Sequence, residues 1–344
     1  MSKISIIVPI YKTGLVLKKT LKSIRNQTFI DFECLLVDDG SKDSLTTSIC
    51  KEICKKDARF QLLEKENEGI EKTRLFGVHH ASSPLIMFCD HDDYYEKNAM
   101  EILYKAYKGS EADIVVANCF TQKVNIGTIT RKKNPLENKK EQLMDAGLFK
   151  KHFMLNFFGI HSFSVSTWGK LYKKSLFSEN FQLFGINILE DVVLNIQLFE
   201  LAKKIHFIPD FVYTHVYGGI SSEFNPHSAL EAYEKIYPFR KKILEQNNHD
   251  LKPLLIEYKN IIVQRINLMI DHHFNQEQFF KVIDEIEHFT IYMDMMTRLS
   301  PLEKGPYLTL LQKGQKDDLF IQANSAKTFK RSLIHQVKKI WSHK

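Results

Sequence analysis

The sequence predicts an α/β fold with a mostly parallel central sheet in its N-terminal part, followed by a C-terminal helical region. Two observations carry this prediction. Short apolar strand patterns alternate with helical patterns through the first 120 residues, and such alternation is typical of βαβ units. From about Ser228 onwards only helical periodicity remains. We therefore place a domain boundary between residues 1–222 and residues 223–344.

The individual elements follow from local residue patterns. The β-branched run 4–8 is closed by Pro9, and apolar residues then recur at helical spacing from Leu15 to Ile24. Further strands are predicted at 32–37, 60–63, 85–89 and 113–117, with helices at 43–55, 69–80 and 96–107, and later helices at 230–244, 254–272, 276–292 and 301–311. Because the strands are apolar throughout, we expect both faces of the sheet to be buried.

Composition excludes several classes of protein. The 344 residues are 44% hydrophobic and 26% charged, which is ordinary globular composition and excludes disorder of the whole chain. The 48 basic and 41 acidic residues give a net charge of +7, which suits an anionic ligand or membrane surface without requiring nucleic acid. Five cysteines without a C-x-x-C pair favour reduced thiols. With no signal peptide or membrane-spanning run, we expect a cytoplasmic protein.

Three predicted strands are followed at their carboxyl ends by polar loops. These loops are Pro9-Ile10-Tyr11, Asp38-Asp39-Gly40-Ser41 and Asp90-His91-Asp92-Asp93. Each acidic loop alone could be a turn or a helix cap. Ligands of parallel sheets bind at this edge, however, and five carboxylates that converge there need a cation or hydrogen-bond donors. Oxygen ligands favour Mg²⁺ or Mn²⁺ over zinc.

Glycine-rich phosphate-binding loops are absent from the sequence. The turn after the first strand reads Pro-Ile-Tyr-Lys-Thr-Gly, which does not match G-x-G-x-x-G. No G-x-x-x-x-G-K-[ST] motif occurs either, since Gly169-Lys170 is followed by Leu171. A phosphate group would therefore be held by a metal and by side chains.

Seven motifs stand in the order found in one enzyme family. They are SIIVPIY (5–11), SIRNQT (23–28), VDDGS (37–41), NEG with Arg74 (67–74), FCDHDDY (88–94), WGKLY (168–172) and Glu190-Asp191. Over residues 1–222 the sequence resembles the inverting family 2 glycosyltransferases with the nucleotide-sugar-binding GT-A fold. It is most similar to bacterial enzymes that build lipooligosaccharide, capsule or other surface glycans.

The resemblance implies a set of nucleotide-sugar-binding residues. Pro9 and Tyr11 would line the base pocket, with the Tyr11 ring beside uracil. Asp39 would accept a hydrogen bond from the uracil N–H. Asp90 would contact the ribose or the sugar, and Arg74 would lie near the diphosphate or the donor sugar.

The resemblance also implies the catalytic and metal-binding residues. Asp191 would be the catalytic base, with Glu190 as its neighbour at the acceptor and Trp168 as a wall of the acceptor side. Asp92 would bind the Mn²⁺ or Mg²⁺ that bridges the diphosphate. His215 would be a third metal ligand or a phosphate donor, or else a structural residue.

The chemistry of inversion is consistent with these assignments. One carboxylate suffices to take the proton of the attacking hydroxyl, and one divalent cation offsets the charge of the departing nucleoside diphosphate. The expected reaction moves a hexose or N-acetylhexosamine from a UDP-sugar to a hydroxyl of a bacterial surface glycan, such as lipooligosaccharide, capsule or a lipid-linked oligosaccharide. UDP-galactose, UDP-GlcNAc, UDP-GalNAc and UDP-glucose all remain open as donors.

Two other functions fit the fold less well. A non-catalytic nucleotide-sugar-binding subunit of a glycan assembly complex would be expected to lack the base or metal carboxylates, and both are present. A nucleotidyltransferase would need a basic, glycine-rich loop after the first strand.

One departure from the family is Thr214, which stands where an arginine is usual, ahead of Gly218-Gly219-Ile220-Ser221. A diphosphate contact would then be missing or come from elsewhere.

The last 18 residues form a basic segment. Residues 327–344 contain six lysines and arginines and no acid, with apolar residues from Phe329 to Trp341 at helical spacing. A basic amphipathic helix suits an anionic membrane surface, so we expect peripheral association with the cytoplasmic face of the inner membrane. The alternatives are packing on its own domain and contact with a second copy in a homo-oligomer.

Overall fold

The computed structural model describes residues 2–125, 128–134, 139–160, 163–177, 180–217 and 225–327. The chain divides into two compact units, Met1–Ser222 and Glu223–Lys344. The motif at 218–221 lies outside the described residues, and so does the basic segment 327–344 apart from Lys327.

A twisted sheet forms the centre of the first unit. In the described residues it has ten strands: β1 (Ile4–Ile10), β2 (Phe32–Asp39), β3 (Phe60–Lys65), β4 (Leu85–Phe88), β5 (Tyr94–Tyr95), β6 (Ile114–Asn125), β7 (Thr128–Lys133), β8 (Gln142–Asp145), β9 (Lys170–Lys173) and β10 (Lys204–Tyr217). The helices of this unit are α1 (Leu17–Arg25), α2 (Ser44–Lys56), α3 (Ile70–His80), α4 (Ala99–Ser110), α5 (Ala146–His152) and α6 (Glu190–Leu201).

The strand order is β3-β2-β1-β4-β9-β6-β10-β5, with β7 paired to β6 and β8 paired to β10. The pairs β3–β2, β2–β1, β1–β4 and β6–β10 are parallel, and β9 joins the two parallel groups by antiparallel pairing with β4 and β6. Every residue of β1 and β2 is buried, as expected for strands covered on both faces. This architecture confirms the predicted α/β fold with a mostly parallel sheet.

The register brings three strand ends to one edge of the sheet. Ile10 at the end of β1 pairs with Asp38 in β2, and Ile7 pairs with Phe88 at the end of β4. Helix α3 approaches β1 closely at Gly77, where a Cβ atom would lie 2.5 Å from Cγ2 of Ile7. This close approach fixes Arg74, one helical turn earlier, beside the edge where the three strands end.

Half of the strands do not appear in the apolar pattern of the sequence. Strands β1, β2, β3, β4 and the first residues of β6 lie where the pattern predicts strands, whereas β5 and β7 to β10 lie where it predicts none. Strand β10 is hard to recognise because Pro209 and Asp210 interrupt its apolar pattern. Both residues lie at a register shift between Phe207 and Phe211 in the pairing with β6, and proline within sheets is largely confined to edges and bulges.

The second unit is helical in its described residues. Its helices are α7 (Pro226–Gln246), α8 (Lys252–Asp271), α9 (Gln276–Glu287), α10 (Thr290–Arg298) and α11 (Pro301–Gln312), and residues 316–327 are also helical. The prediction of a single helix at 276–292 is wrong, because α9 ends at Glu287 and a separate helix, α10, begins at Thr290. Glu234 of α7 accepts hydrogen bonds from the amides of Thr290 (2.9 Å) and Ile291 (3.0 Å) and so caps α10. Within the described chain, none of the helices combines the length and the apolar character needed to cross a membrane.

Candidate active site

A cavity of about 630 Å³ opens at the edge of the sheet where β1, β2 and β4 end. Seven of the residues singled out from the sequence line it: Pro9, Tyr11, Asp39, Arg74, Asp90, Asp92 and Glu190. The other three, Trp168, Asp191 and His215, are not part of the lining. The structure therefore gathers the predicted nucleotide-sugar-binding residues in one cavity and places the predicted base directly behind its wall.

Asp39 is held firmly at the end of β2. Its Oδ1 accepts hydrogen bonds from Lys65 Nζ (2.7 Å) and the Glu68 amide (3.0 Å), and its Oδ2 accepts one from the Gly69 amide (3.0 Å). Burial acts to raise the pKa of Asp39, but the bonds from Lys65 and Glu68 hold that pKa below its ordinary value. Asp39 is thus an ionised, oriented acceptor at the cavity wall.

Arg74 is the buried centre of an acidic cluster. Its guanidinium lies 3.2 Å from Asp90 Oδ1, 3.3 Å from Glu190 Oε1 and 2.5 Å from Asp191 Oδ1. Burial would lower the pKa of Arg74, yet the charges of these three carboxylates raise it above its ordinary value. One cation facing three carboxylates leaves excess negative charge, which a further cation would offset.

Asp191 stands at the start of α6, but a residue outside this helix orients its carboxylate. Thr167 donates to it twice, from the hydroxyl to Oδ1 (3.1 Å) and from the amide to Oδ2 (3.3 Å). The N-cap of α6 is Leu189, with no side-chain cap, so Asp191 is not a capping residue. Burial raises the pKa of Asp191 against the opposing charge of Arg74, and burial together with the charge of Asp191 raises the pKa of Glu190.

The loop after β4 is tied down so that two aspartates face the cavity. The buried Thr20 hydroxyl lies 2.8 Å from the carbonyl of His91 and 2.7 Å from that of Asp93. The His91 Nδ1 atom lies 3.2 Å from the carbonyl of Pro9. These contacts anchor the loop to α1 and β1 while Asp90 and Asp92 line the cavity.

Asp93 anchors a buried polar network behind this loop. It accepts hydrogen bonds from the Tyr213 hydroxyl (2.9 Å) and from His215 Nδ1 (3.1 Å), and the Tyr213 oxygen in turn accepts the Asp90 amide (3.1 Å). Burial raises the pKa of Asp93 to about 6, although His215 opposes the shift. Trp168 is only 6% exposed and stacks on Tyr213 at 4.7 Å between ring centroids. Its packing thus supports the network.

The side chains of Asp92 and His215 fit a divalent cation whose remaining ligands come from the phosphates of a bound substrate. Asp92 supplies a carboxylate, and the bond from His215 Nδ1 to Asp93 is the carboxylate–histidine arrangement that orients Nε2 of a metal-binding histidine. In the part of the chain that the structure describes, no group of three or more His, Cys, Asp or Glu side chains could hold a metal alone. Mg²⁺-type sites commonly use one or two carboxylates together with substrate phosphates, and this donor set suits that mode.

Three residues that position the site have no role predicted from the sequence. Asp93 belongs to a motif that was recognised, but its buried bonds depend on β10. Thr167 and Tyr213 lie next to residues that were singled out, Trp168 and Thr214. Their proximity to the motifs is the only sequence signal that could have found them, because each acts through a long-range contact.

Thr214, at the position where the family usually has arginine, contacts a guanidinium from another strand. Its hydroxyl donates to Glu96 Oε1 (2.8 Å) and accepts from Arg131 Nη2 (3.1 Å). Arg131 is not among the residues that line the cavity. Among the described residues, the lysine and arginine side chains of the cavity lining are Lys12 and Arg74.

Comparison with known sequences gives a consistent set of similarities. The sequence profile of glycosyl transferase family 2 matches residues 5–181. The chain is 32% identical to glycosyltransferase GlyA of Streptococcus pneumoniae over 215 residues, which are 62% of this chain and 30% of GlyA. It is 28% identical to glycosyltransferase GlyG of the same organism over 286 residues, covering 81% of this chain and 93% of GlyG. The cholesterol galactosyltransferase of Borreliella burgdorferi is 25% identical, with 85% of each chain covered.

Solved structures show a similar fold. The S. aureus protein TarS, residues 1–349 in complex with UDP-GlcNAc, superposes with a TM-score of 0.60 at 17% identity, covering 95% of this chain and 92% of that one. The complex of the same protein with UDP gives a TM-score of 0.59 at 16% identity. At this level of identity the similarity shows a shared fold.

Proposed function

Since the chain belongs to glycosyl transferase family 2, we propose that it is a metal-dependent, inverting glycosyltransferase that uses a UDP-sugar. The transferred group is a hexose or N-acetylhexosamine, and the acceptor is a hydroxyl of a bacterial surface glycan: lipooligosaccharide, capsule or a lipid-linked oligosaccharide. The observation that carries the proposal is the convergence of Asp39, Arg74 and Asp92 on one cavity.

The uridine end of the cavity is marked by Tyr11 and Asp39. Tyr11 is 42% exposed at the wall, so its ring is available to a base. An ionised carboxylate has about four lone-pair sites, so Asp39 can accept a uracil N–H in addition to its protein donors. The UDP and UDP-GlcNAc complexes of TarS, which shares this fold, support a uridine nucleotide as the donor.

We place the diphosphate beside Asp92. Asp92 and His215 would hold Mn²⁺ or Mg²⁺, and the bound cation would offset the negative charge that grows on the departing UDP. Lys12 and Arg74 supply cationic side chains to the lining of the same cavity. A cavity lined by both signs of charge suits a diphosphate bound with its metal.

Asp191 is the proposed general base. The acceptor oxygen attacks the anomeric carbon, its proton passes to Asp191, and the bond to UDP breaks on the opposite face of the sugar. Thr167 orients the carboxylate and Arg74 favours its ionised form, while burial brings its pKa closer to the working pH. Glu190 adjoins the base at the acceptor. The slight exposure of Trp168 limits its proposed acceptor contact to an edge of the ring.

A lipid-linked acceptor would be reached at the membrane. We place the basic segment 327–344 against the anionic cytoplasmic face of the inner membrane, since six basic residues and an apolar stripe suit such a surface. Packing within the chain or with a second copy remains the alternative.

The test is a panel of UDP-sugars supplied with Mn²⁺ and scored by release of UDP. We expect release from one of the four candidate donors, and loss of that release in the Asp191→Asn variant. A wild-type chain that binds UDP but releases none from any donor, with lipooligosaccharide or lipid-linked acceptors present, would instead indicate a non-catalytic binding subunit.

A further inference from the structure

Residues 182–187, here called the strap, run from the outer side of α6 to the rim of the cavity. The middle of the strap is held by one carboxylate of α3. Glu71 accepts hydrogen bonds from three consecutive backbone amides, those of Phe184 (3.2 Å), Gly185 (2.5 Å) and Ile186 (3.2 Å). Three donors on one carboxylate form a charge-assisted cluster, which is stronger than bonds between neutral groups.

The start of the strap is fixed to α6. The Gln182 amide donates to Gln197 Oε1 (2.8 Å), and Gln197 Nε2 donates back to the Gln182 carbonyl (3.1 Å). Phe184 and Ile186 are each 7% exposed, so the strap also buries apolar side chains. The backbone immediately before Asn187 is therefore held in place by polar contacts on α3 and α6 and by apolar packing.

Asn187, the last residue of the strap, lines the cavity. Its side chain lies over the start of α3, since a Cβ atom at Gly69 would be 3.6 Å from Asn187 Oδ1. It is exposed, and no hydrogen bond joins its amide group to another residue in the described part of the chain. The amide of Asn187 is therefore free to offer two N–H donors and a carbonyl acceptor to a ligand in the cavity.

We propose that Asn187 hydrogen-bonds the sugar of the donor and contributes to donor choice, and that Glu71 is the positioning residue that holds Asn187 there. This inference rests on the proposed function. The Asn187 side chain lies over Gly69, whose amide donates a hydrogen bond to Asp39 at the proposed uridine end. Three residues later the chain reaches Glu190, which also lines the cavity. Asn187 therefore lies between the uridine end and the proposed base, and the sugar must bind on that path because the acceptor oxygen beside the base attacks its anomeric carbon. A site built to hydrogen-bond one sugar hydroxyl or acetamido group rejects a sugar that lacks it.

The test of Asn187 measures binding, so it does not depend on turnover. Dissociation constants for UDP and for UDP-glucose, UDP-galactose, UDP-GlcNAc and UDP-GalNAc, each with Mn²⁺, are measured by calorimetry for the wild type and Asn187→Ala. We expect UDP affinity within about twofold of wild type, and a loss of about 3- to 10-fold for the preferred UDP-sugar. The matched control is Asn180→Ala, which changes an exposed asparagine outside the cavity lining.

Each outcome of this test separates the two claims. If Asn187→Ala binds all four UDP-sugars as the wild type does, or weakens UDP equally, the role of Asn187 is wrong and the proposed function stands. If the wild type binds neither UDP nor any UDP-sugar, the proposed function fails and the inference fails with it.

The test of Glu71 uses the nearly isosteric Glu71→Gln. The glutamine amide lacks the negative charge that strengthens the three bonds on Oε2, and its N–H group would face the Phe184 amide, which also donates to Oε1 (3.2 Å). We therefore expect hydrogen exchange at the amides of 184–186 to accelerate at least 10-fold. We also expect the dissociation constants of the four UDP-sugars to become more alike, as in Asn187→Ala, while the affinity for UDP stays at the wild-type value. Glu52→Gln is the control, since Glu52 pairs with Lys56 on the exposed face of α2. Unchanged exchange, or faster exchange with unchanged sugar preference, would refute the positioning role.

Discussion

Replacing Asp191 with asparagine removes the charge of the proposed base and keeps its size. The amide oxygen can still accept the bond from the Thr167 hydroxyl, which lies 3.1 Å from Oδ1 in the native chain. Arg74 retains its contacts with Asp90 and Glu190, at 3.2 and 3.3 Å. The guanidinium is therefore not left unpaired, and one of three mutually repelling carboxylates is removed.

The structure separates the effects of Asp191→Asn on stability and on rate. The variant weakens hydrogen bonds without stranding a buried charge, so we expect the free energy of unfolding to change by about 1 kcal/mol or less, which is about 2–4 °C in Tm for a domain of this size. Loss of a general base should lower turnover by about 10²- to 10⁴-fold, or about 3–5 kcal/mol of transition-state stabilisation. Binding of UDP should be unchanged.

The assay combines turnover by UDP release, UDP binding by calorimetry and thermal unfolding on the same preparations. Thr167→Val serves as an intermediate variant, because it removes one of the two donors that orient the base, and we expect about a 10-fold loss of turnover. A stably folded Asp191→Asn protein with more than a tenth of wild-type turnover would refute the assignment of Asp191.

Four further predictions follow from the site and its surroundings. EDTA should abolish transfer and Mn²⁺ or Mg²⁺ should restore it, and Asp92→Asn should lower turnover by about 10²-fold or more, since a ligand carboxylate is lost. Burial raises the pKa of Asp191, and a protonated base cannot accept a proton, so kcat/KM should fall with decreasing pH at a pH above the ordinary carboxyl pKa of about 4. Burial lowers the pKa of Lys170 to about 7. Above this pH the unfolded chain binds more protons than the folded chain, so the free energy of unfolding rises with pH. Urea unfolding should show a rise from this lysine on the order of 1 kcal/mol between pH 7 and pH 8. Truncation before Lys327 should leave the family 2 domain folded and weaken flotation with vesicles that contain anionic lipid, more so at low salt.

Each of these predictions would be contradicted by a specific result. Full activity in excess chelator would exclude the metal role, and an acidic limb near pH 4 would mean that the base is not the buried Asp191. Lys170→Met should lose the rise in stability with pH, and an equal rise in variant and wild type would assign it to another group. Full-length protein that stays unbound at low salt would show that the basic segment has a structural or intersubunit role.

The sequence predicted those features of the fold and site that depend on local patterns. Alternating apolar strands and helices indicated the parallel part of the sheet, and parallel strands end at one edge for geometric reasons. Pro9 and Asp39 lie in the last residues of such strands, and Tyr11, Asp90 and Asp92 lie in the loops that directly follow them. The strand pattern alone therefore brought the five to the same place, and the cavity lining contains all of them. Arg74 and Glu190 came from motif resemblance.

Tertiary structure decided the features that depend on pairing between distant segments. Strand β10 takes its place by pairing with β6 across a register shift, and no local pattern encodes that pairing. Its Tyr213 and His215 reach Asp93, more than 100 residues away in sequence. Thr167 likewise reaches Asp191, and Glu71 reaches the strap. The charge state of the buried carboxylates was decided in the same way, because the pKa of a buried group depends on how much water the surrounding segments exclude and on which charges they bring close.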